Sequence, residues 1–273
     1  MRRLFRVLLL STLFICIGLG VAVGYLVANQ SAMVFQSPGA DLPTAAIDQA
    51  IAGSQRISIK TTDGEVLAGW YRPPADGQVV FLYFHGNIGA LERGHGRWNR
   101  IFEHGAGLLA FSYRGYPGST GTADQAGLFE DGRAAYRWLR QQHQSDVIVL
   151  HGLSLGTAVA AKLATEVDAR AVILEAGFTA VSDVAAERYP WLPVHALMSD
   201  GFPTRDIIDR VRMPIMIAHG THDTVIPFAH GEALFARAPE PKTFVKIEGG
   251  DHSTLVRDGL YDHIWQFLSG LSR

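Results

Sequence analysis

Ser154 stands at the centre of a Gly-x-Ser-x-Gly pattern formed by residues 152–156. The pattern follows the apolar run Val147–His151 and opens an alanine-rich stretch, so it predicts a tight strand–turn–helix. Glycines on both sides let such a turn close without clashes and hold a serine hydroxyl out above the sheet. The sequence therefore predicts Ser154 as a nucleophile, and the alternative is a glycine-rich turn without chemistry.

A nucleophilic serine needs a base and an orienting carboxylate, which follow such a turn in the order acid, then histidine. Asp223 comes just after the apolar run Ile215–His219, and His252 comes just after Thr243–Glu248. Both residues are therefore expected in loops at strand ends. We predict Asp223 as the orienting acid and His252 as the base.

The sequence His85-Gly86-Asn87 follows another apolar run, Val79–Phe84. An oxyanion hole takes one backbone N–H from the residue after the nucleophile and one from the loop after this strand. Leu155 and Asn87 are the predicted donors, with Ile88 as the alternative to Asn87. We expect His85 to brace its loop by hydrogen bonds rather than to act as the base.

Neither a metal nor a cofactor is expected. His219, His222 and His230 invite a metal interpretation, but His-x-x-His in a loop lacks the one-face helical geometry of zinc sites. The only cysteine, Cys16, lies in the apolar N-terminal run, so no disulfide forms within the chain.

The N-terminal 28 residues are predicted to be a transmembrane anchor. Residues 7–28 carry no charge, and a helix of that length spans roughly 33 Å. Arg2, Arg3 and Arg6 precede it, which predicts a cytoplasmic N-terminus and places the rest of the chain on the periplasmic or extracytoplasmic side. A signal peptide cleaved after the small-x-small site Ala22-Val23-Gly24 is the main alternative. A lipid attached at Cys16 and a buried core helix fit less well.

The soluble remainder is acidic: without the three N-terminal arginines it has 21 basic residues against 26 acidic ones. Nucleic acid is therefore an unfavourable partner, because phosphate binding needs a basic surface. Residues 29–54, rich in Ala, Gln, Ser and Pro, are interpreted as a linker lying against the domain. Residues 55–273 form one predicted domain.

Eight strands are predicted in this domain. The first two flank Asp63-Gly64 and predict a hairpin, whereas the later ones are apolar throughout, as in parallel strands buried on both faces. Helical stretches separate most of them; helices are predicted most strongly at 124–143 and 155–166, and at 254–271 after the last strand. The predicted strands are Arg56–Thr61, Val66–Tyr71, Val79–Phe84, Leu108–Ser112, Val147–His151, Ala171–Glu175, Ile215–His219 and Thr243–Glu248. Alternating strands and helices indicate an α/β class, with ligands at the carboxyl ends of the strands.

Over residues 55–270 the sequence resembles the α/β-hydrolase superfamily, and in particular its single-pass membrane branch, which includes depalmitoylase-like serine hydrolases. The motifs that carry the resemblance are His85–Asn87, Tyr113–Gly121, Gly152–Gly156, His219–Pro227 and Gly250–Ser253. The resemblance implies a mostly parallel eight-stranded sheet flanked by helices, with a triad of Ser154, Asp223 and His252. The chain departs from the pattern at Thr157, where a second glycine is common.

The resemblance also implies activity on esters, thioesters or, in some members, peptides. The leading hypothesis is a membrane-anchored serine hydrolase that cleaves acyl esters or thioesters, lipid-like ones among them, through an acyl-enzyme. A serine peptidase and a non-catalytic scaffold of the same fold are the alternatives. Residues 178–205 would form a short cap, whose apolar segment 189–193 either lines an acyl pocket or packs as a simple lid.

Overall fold

A computed structural model describes residues 2–37, 44–89 and 91–271. Eight strands form one sheet in the order β1-β2-β4-β3-β5-β6-β7-β8. β1 pairs antiparallel with β2, β2 pairs antiparallel with β4, and all other neighbours are parallel. The strands are β1 Gln55–Lys60, β2 Val66–Arg72, β3 Val80–Phe84, β4 Gly107–Phe111, β5 Ile148–Leu153, β6 Ala171–Glu175, β7 Ile215–Gly220 and β8 Lys242–Ile247. The predicted eight-stranded, mostly parallel sheet is confirmed.

Helices cover both faces of the sheet. The α-helices are α1 Arg2–Ala28, α2 Gln30–Val34, α3 Thr44–Ala50, α4 His95–Phe102, α5 Gln125–Arg140, α6 Leu155–Ala164, α7 Val181–Arg188, α8 Val194–Leu197, α9 Phe228–Arg237 and α10 Leu260–Gly270. Short 3-10 turns lie at Leu91–Gly94, Ser145–Val147, Thr204–Asp206 and Ile208–Arg210. Buried residues of α5, α6 and α9 belong to one hydrophobic cluster, and those of α3, α4 and α10 to the other.

The two clusters arise because side chains alternate along each strand. In β3, Val80, Leu82 and Phe84 point to the first cluster, whereas Phe81 and Tyr83 point to the second. Every residue of β3, β4, β6 and β7 is buried, as the uninterrupted apolar runs predict. The sheet is therefore a fixed platform whose carboxyl-end loops carry the polar residues.

The last helix is shorter than predicted. The sequence predicts a helix over 254–271, but residues 252–259 form turns and α10 begins at Leu260. Gly259 has φ +95°, a left-handed conformation that does not continue an α-helix. The Thr254 hydroxyl also accepts a hydrogen bond from the Asp251 N–H at 2.9 Å and donates one to the Asp258 carboxylate, which favours a turn. His252 consequently lies on a tight loop ahead of the helix.

The segment predicted as a linker, 29–54, packs against the domain through several of its described residues. Phe35 lies edge-on to Phe202, with ring centroids 6.1 Å apart, and Ile47 and Ile51 are fully buried. Residues 38–43 lie outside the described part of the chain. The division into anchor, linker and domain stays a prediction, but α2 and α3 each contact the sheet's helical layers rather than extending into solvent.

Candidate active site

Ser154 occupies a strained turn between β5 and α6. Its φ is +51° and its ψ −118°, an unusual conformation for a residue with a Cβ. Its N–H donates to the Glu175 carbonyl at 2.9 Å, and the Thr157 hydroxyl donates to the Ser154 carbonyl at 2.6 Å. A Cβ on Gly152 would overlap the backbone of Gly156, so only glycine fits there. The turn therefore holds a half-buried serine at the carboxyl end of the sheet.

Asp223 and His252 are brought together by loops that are 29 residues apart in sequence. Asp223 follows β7, His252 follows β8, and His252 Nδ1 lies 2.8 Å from Asp223 Oδ2. The other carboxylate oxygen accepts the N–H groups of Val225 at 2.9 Å and Ile226 at 2.8 Å. The carboxylate is thus buried and fixed, while the His252 side chain keeps 18% of its surface exposed.

A second histidine, His219, contacts the same carboxylate. Its Nε2 donates to the Ile226 carbonyl at 2.9 Å and lies 3.3 Å from Asp223 Oδ2. Sequence reasoning considered His219 only as a metal ligand and missed this contact. The signal was its position at the end of a buried strand, four residues before Asp223.

The electrostatics of Asp223 favour a permanent carboxylate. Burial by itself would raise the pKa of this carboxyl, but the hydrogen bonds from His219 and His252 outweigh burial and hold the pKa below its usual range. An ionised Asp223 keeps the proton of His252 on Nδ1 and leaves Nε2 free to accept another.

Ser154 Oγ makes no hydrogen bond to His252 within the described residues. Catalytic hydrogen bonds in unliganded enzymes are commonly long and tighten when substrate binds, so this geometry is compatible with a nucleophile–base pair. The fold brings Ser154 and the Asp223–His252 pair to the same sheet edge, since their strands β5, β6, β7 and β8 are parallel neighbours.

The loop after β3 is braced as the sequence predicts. His85 Nδ1 donates to the Gly86 carbonyl at 2.7 Å, and its Nε2 accepts the Tyr113 N–H at 3.3 Å. Burial lowers the pKa of His85 to about 4, so its ring is neutral at pH 7. The Tyr116 hydroxyl donates to the Asn87 carbonyl at 2.7 Å. These contacts hold Asn87 beside the serine turn.

The loop that contains Tyr116 is itself held in place by hydrogen bonds of Arg114. The Arg114 N–H and Nε donate to the Asp131 carboxylate at 2.7 and 2.8 Å, and Nη1 donates to Asp63 at 2.7 Å. Hydrogen bonds from Arg114 lower the pKa of Asp63 to about 2. The tyrosine that orients Asn87 is thus fixed through the hairpin and α5.

Asn87, Ser154 and Leu155 line one cavity of about 600 Å³. Among the described residues, neither the Asn87 N–H nor the Leu155 N–H donates a hydrogen bond, so both remain available to a ligand oxygen. The remaining wall is mostly apolar and comes from α1, α2, the cap and the loop after β7. Its apolar members are Val23, Leu26, Val27, Met33, Val34, Phe178, Val181, Val184, Ala185, Tyr189, Leu192, Val194, Leu197, Met198, Val225 and Ile226.

A separate charged cluster lies beneath the serine turn. Arg97 forms a two-point ion pair with Glu175, one contact of which is 2.9 Å, and His151 Nε2 lies 3.0 Å from Glu175 Oε2. All three side chains are buried. Burial opposes ionisation of Glu175, but the Arg97 charge outweighs it and lowers the pKa of that carboxyl below its usual range. His222 lies in the loop with Asp223, and no group of three metal-ligating side chains is assembled among the described residues.

Most of the chain aligns with known proteins. It is 34% identical over 251 residues to the uncharacterized protein Rv2307c of Mycobacterium tuberculosis strain H37Rv, which covers 89% of this chain and 88% of that protein. It is 30% identical over 218 residues to alpha/beta hydrolase domain-containing protein 17B of Homo sapiens, covering 77% and 73%. No family model matches the chain. The structure superposes on the Pyrococcus furiosus esterase Pf2001 with a TM-score of 0.70, at 15% identity, over 86% of this chain and 97% of the other.

Proposed function

Because the chain belongs to the α/β-hydrolase family, we propose that it is a membrane-anchored serine hydrolase that cleaves carboxylic esters or thioesters. The observation that carries the proposal is the Asp223–His252 hydrogen bond at the sheet edge that also bears Ser154 in its strained turn. The Pyrococcus furiosus protein that shares the fold is an esterase, which supports the same chemistry.

In the proposed reaction, Ser154 Oγ attacks the acyl carbonyl carbon while His252 Nε2 takes its proton. The negative charge on the carbonyl oxygen is stabilised by the N–H groups of Leu155 and Asn87, which line the same cavity as the serine. When the tetrahedral intermediate collapses, the leaving alcohol or thiol takes the proton from His252. Water then attacks the acyl-enzyme with His252 as base, releasing the carboxylic acid and restoring Ser154.

Asp223 has no direct contact with the acyl group in this scheme. Its carboxylate accepts the Nδ1–H of His252 at 2.8 Å, which fixes the tautomer and stabilises the imidazolium that forms during attack. The backbone N–H groups of Val225 and Ile226 hold the carboxylate in that orientation.

Labelling with a fluorophosphonate tests the nucleophile. Ser154→Ala is expected to abolish labelling of the full-length protein and to lower ester turnover by orders of magnitude, because the attacking oxygen is gone. Ser182→Ala, a substitution in the cap outside the cavity lining, is the matched control and should label normally. Labelling that persists in Ser154→Ala would place the nucleophile elsewhere. A panel of ester, thioester and amide substrates would identify a peptidase by its amide cleavage.

Membrane anchoring is part of the proposal. Within α1, Leu8–Ala28 has a mean hydropathy of 2.2, and none of the residues in its apolar window is fully buried, so it is long and apolar enough to span a bilayer. The N-terminal arginines favour a cytoplasmic N-terminus and an extracytoplasmic hydrolase domain.

Protease added outside spheroplasts should digest the domain, and alkaline carbonate should leave the protein in the membrane fraction. A mature chain beginning near Tyr25 would instead identify a cleaved signal peptide. Protection of the domain from external protease would indicate the opposite orientation.

A further inference from the structure

One face of α1 continues into the cavity that contains Ser154. Val23, Leu26 and Val27 of α1 and Gln30, the first residue of α2, follow helical spacing, are all half-buried, and all line the cavity. Val21, only two residues before Val23, lies off this face and is 68% exposed. The candidate membrane span is therefore part of the cavity wall as well as a candidate tether.

Gln30 connects this face to the cap through two hydrogen bonds. Its side-chain Nε2 donates to the Leu197 carbonyl at 3.4 Å, and its Oε1 accepts the Ser199 N–H at 3.0 Å. Leu197 also lines the cavity. The two hydrogen bonds join segments 167 and 169 residues apart, so they fix the end of the span against the cap in a defined orientation.

Exposed apolar side chains lie in or next to the segments that line the cavity. Outside α1, the exposed large hydrophobic side chains of the described residues are Met33, Ile88, Trp191 and Val225. Met33 and Val225 line the cavity, Ile88 follows Asn87, and Trp191 lies between two lining residues of the cap. Exposed apolar side chains gathered near one cavity mark an interaction site, and an exposed tryptophan suits a membrane interface.

We propose that the end of α1 and the cap together form an acyl-chain site whose apolar rim lies against the bilayer. This inference rests on the proposed function, and it names the substrate class as the long acyl chain of a bilayer-resident ester or thioester. The chain would pass along Val23, Leu26 and Val27 to Ser154 without entering water. Such a route matters because each methylene of the acyl chain that moves from an apolar environment into water lowers the equilibrium constant of that transfer about fourfold.

A pair of valine substitutions separates this role from simple anchoring. Val23→Trp places a larger side chain inside the cavity, whereas Val21→Trp places the same side chain on the exposed side of the same helix. The full-length variants would be reconstituted in phosphatidylcholine vesicles and assayed with p-nitrophenyl butyrate and p-nitrophenyl palmitate. For Val23→Trp the palmitate-to-butyrate ratio of kcat/KM is expected to fall at least about tenfold, the loss of roughly two methylene contacts. Val21→Trp should keep the wild-type ratio.

Equal ratios in the two variants would overturn the acyl-site inference, because anchoring alone does not distinguish the faces of α1. The wild type reports separately on the proposed function: absence of both fluorophosphonate labelling and butyrate hydrolysis would refute the hydrolase itself. Dipalmitoyl phosphatidylcholine and an S-palmitoylated membrane peptide serve as two further substrates. Turnover of either one supports the inference and identifies the acyl carrier, and turnover of neither refutes the bilayer-resident substrate.

A crosslinking measurement does not depend on the folding of any variant. A sixteen-carbon alkyl fluorophosphonate with a terminal diazirine would be attached to Ser154 of the wild-type protein in vesicles and then irradiated. Mass spectrometry should find crosslinks to Val23, Leu26 or Val27. Crosslinks confined to the cap residues Tyr189 and Leu192 would show that the chain lies away from α1 and would overturn the inference.

Discussion

Two histidine–carboxylate pairs lie near the serine turn, and they differ in their surroundings. Asp223 and His252 stand on loops, with the Nδ1–Oδ2 distance at 2.8 Å and the histidine partly exposed. Glu175 and His151 stand within neighbouring strands, 3.0 Å apart and fully buried. The two pairs share their chemical groups but not their neighbours.

The difference in charge compensation decides what each pair can do. Arg97 contacts both oxygens of Glu175, so that carboxylate is neutralised by a permanent cation and is unavailable to a developing imidazolium. Asp223 is held by two backbone N–H groups and by histidines, so its charge is not cancelled by an arginine within the described residues. In the proposed reaction, proton transfer to His252 would therefore be favoured by its carboxylate, whereas we expect the buried pair to act on the stability of the strands beneath Ser154.

The largest expected effect separates the pairs by activity. Asp223→Asn should lower kcat about 10⁴-fold with little change in folding, because an amide favours the wrong imidazole tautomer. The matched carboxylate-to-amide change Glu175→Gln should leave most of kcat. Steady-state kinetics and thermal unfolding of both variants in detergent check this contrast. Comparable kcat losses in the two variants would mean that both pairs serve the reaction.

For the free energy of unfolding we expect the opposite order, with the larger effect at the buried Glu175 pair. Arg97→Met leaves Glu175 buried without its cation, which is expected to lower the free energy of unfolding by about 3–5 kcal/mol. The double variant Arg97→Met/Glu175→Leu should recover most of that loss, since no uncompensated charge remains. Denaturant unfolding measures both changes. A fully stable Arg97→Met would show that the buried ion pair contributes nothing to the fold.

The smallest expected effect is a difference in pH dependence. Burial lowers the pKa of His151 despite the neighbouring Glu175, so the unfolded chain binds more protons below pH 6.5 than the folded one. The stability associated with neutral His151 is present above pH 6.5 and decreases as the pH falls below it. His151→Gln should therefore lose less unfolding free energy than the wild type between about pH 7 and pH 5. An identical dependence of the unfolding free energy on pH in the two proteins would contradict the lowered pKa of His151.

The strands and the chain order of the site could be predicted because they depend on local patterns. Uninterrupted apolar runs are enough to identify strands buried on both faces, and they place polar residues such as Ser154, Asp223 and His252 just after strand ends. Gly152 is required by the tight turn itself, which is a local property, whereas a Cβ on Gly156 would collide with the backbone of Phe84 at the end of β3. The roles of these residues stay predictions, but their placement at one sheet edge follows from parallel strands.

Contacts between distant segments could not be predicted from the sequence. Some local turn geometry was missed as well: His219 contacts Asp223, four residues later, across the turn after β7, and α10 starts late because Gly259 takes a left-handed conformation. The range 29–54 has a linker-like composition, yet its helices pack because the domain offers apolar surfaces to Phe35 and Ile51.

By itself the sequence determined the alternation of strands and helices and the apolar length of α1, since each is a property of neighbouring residues. Only the tertiary structure decided that α1 shares a cavity with Ser154. That arrangement depends on Gln30 meeting Leu197, 167 residues away, and on an apolar cap that shields the same space. Periodicity shows that a helix has an apolar face, but the surface that covers this face is chosen by packing across the whole chain.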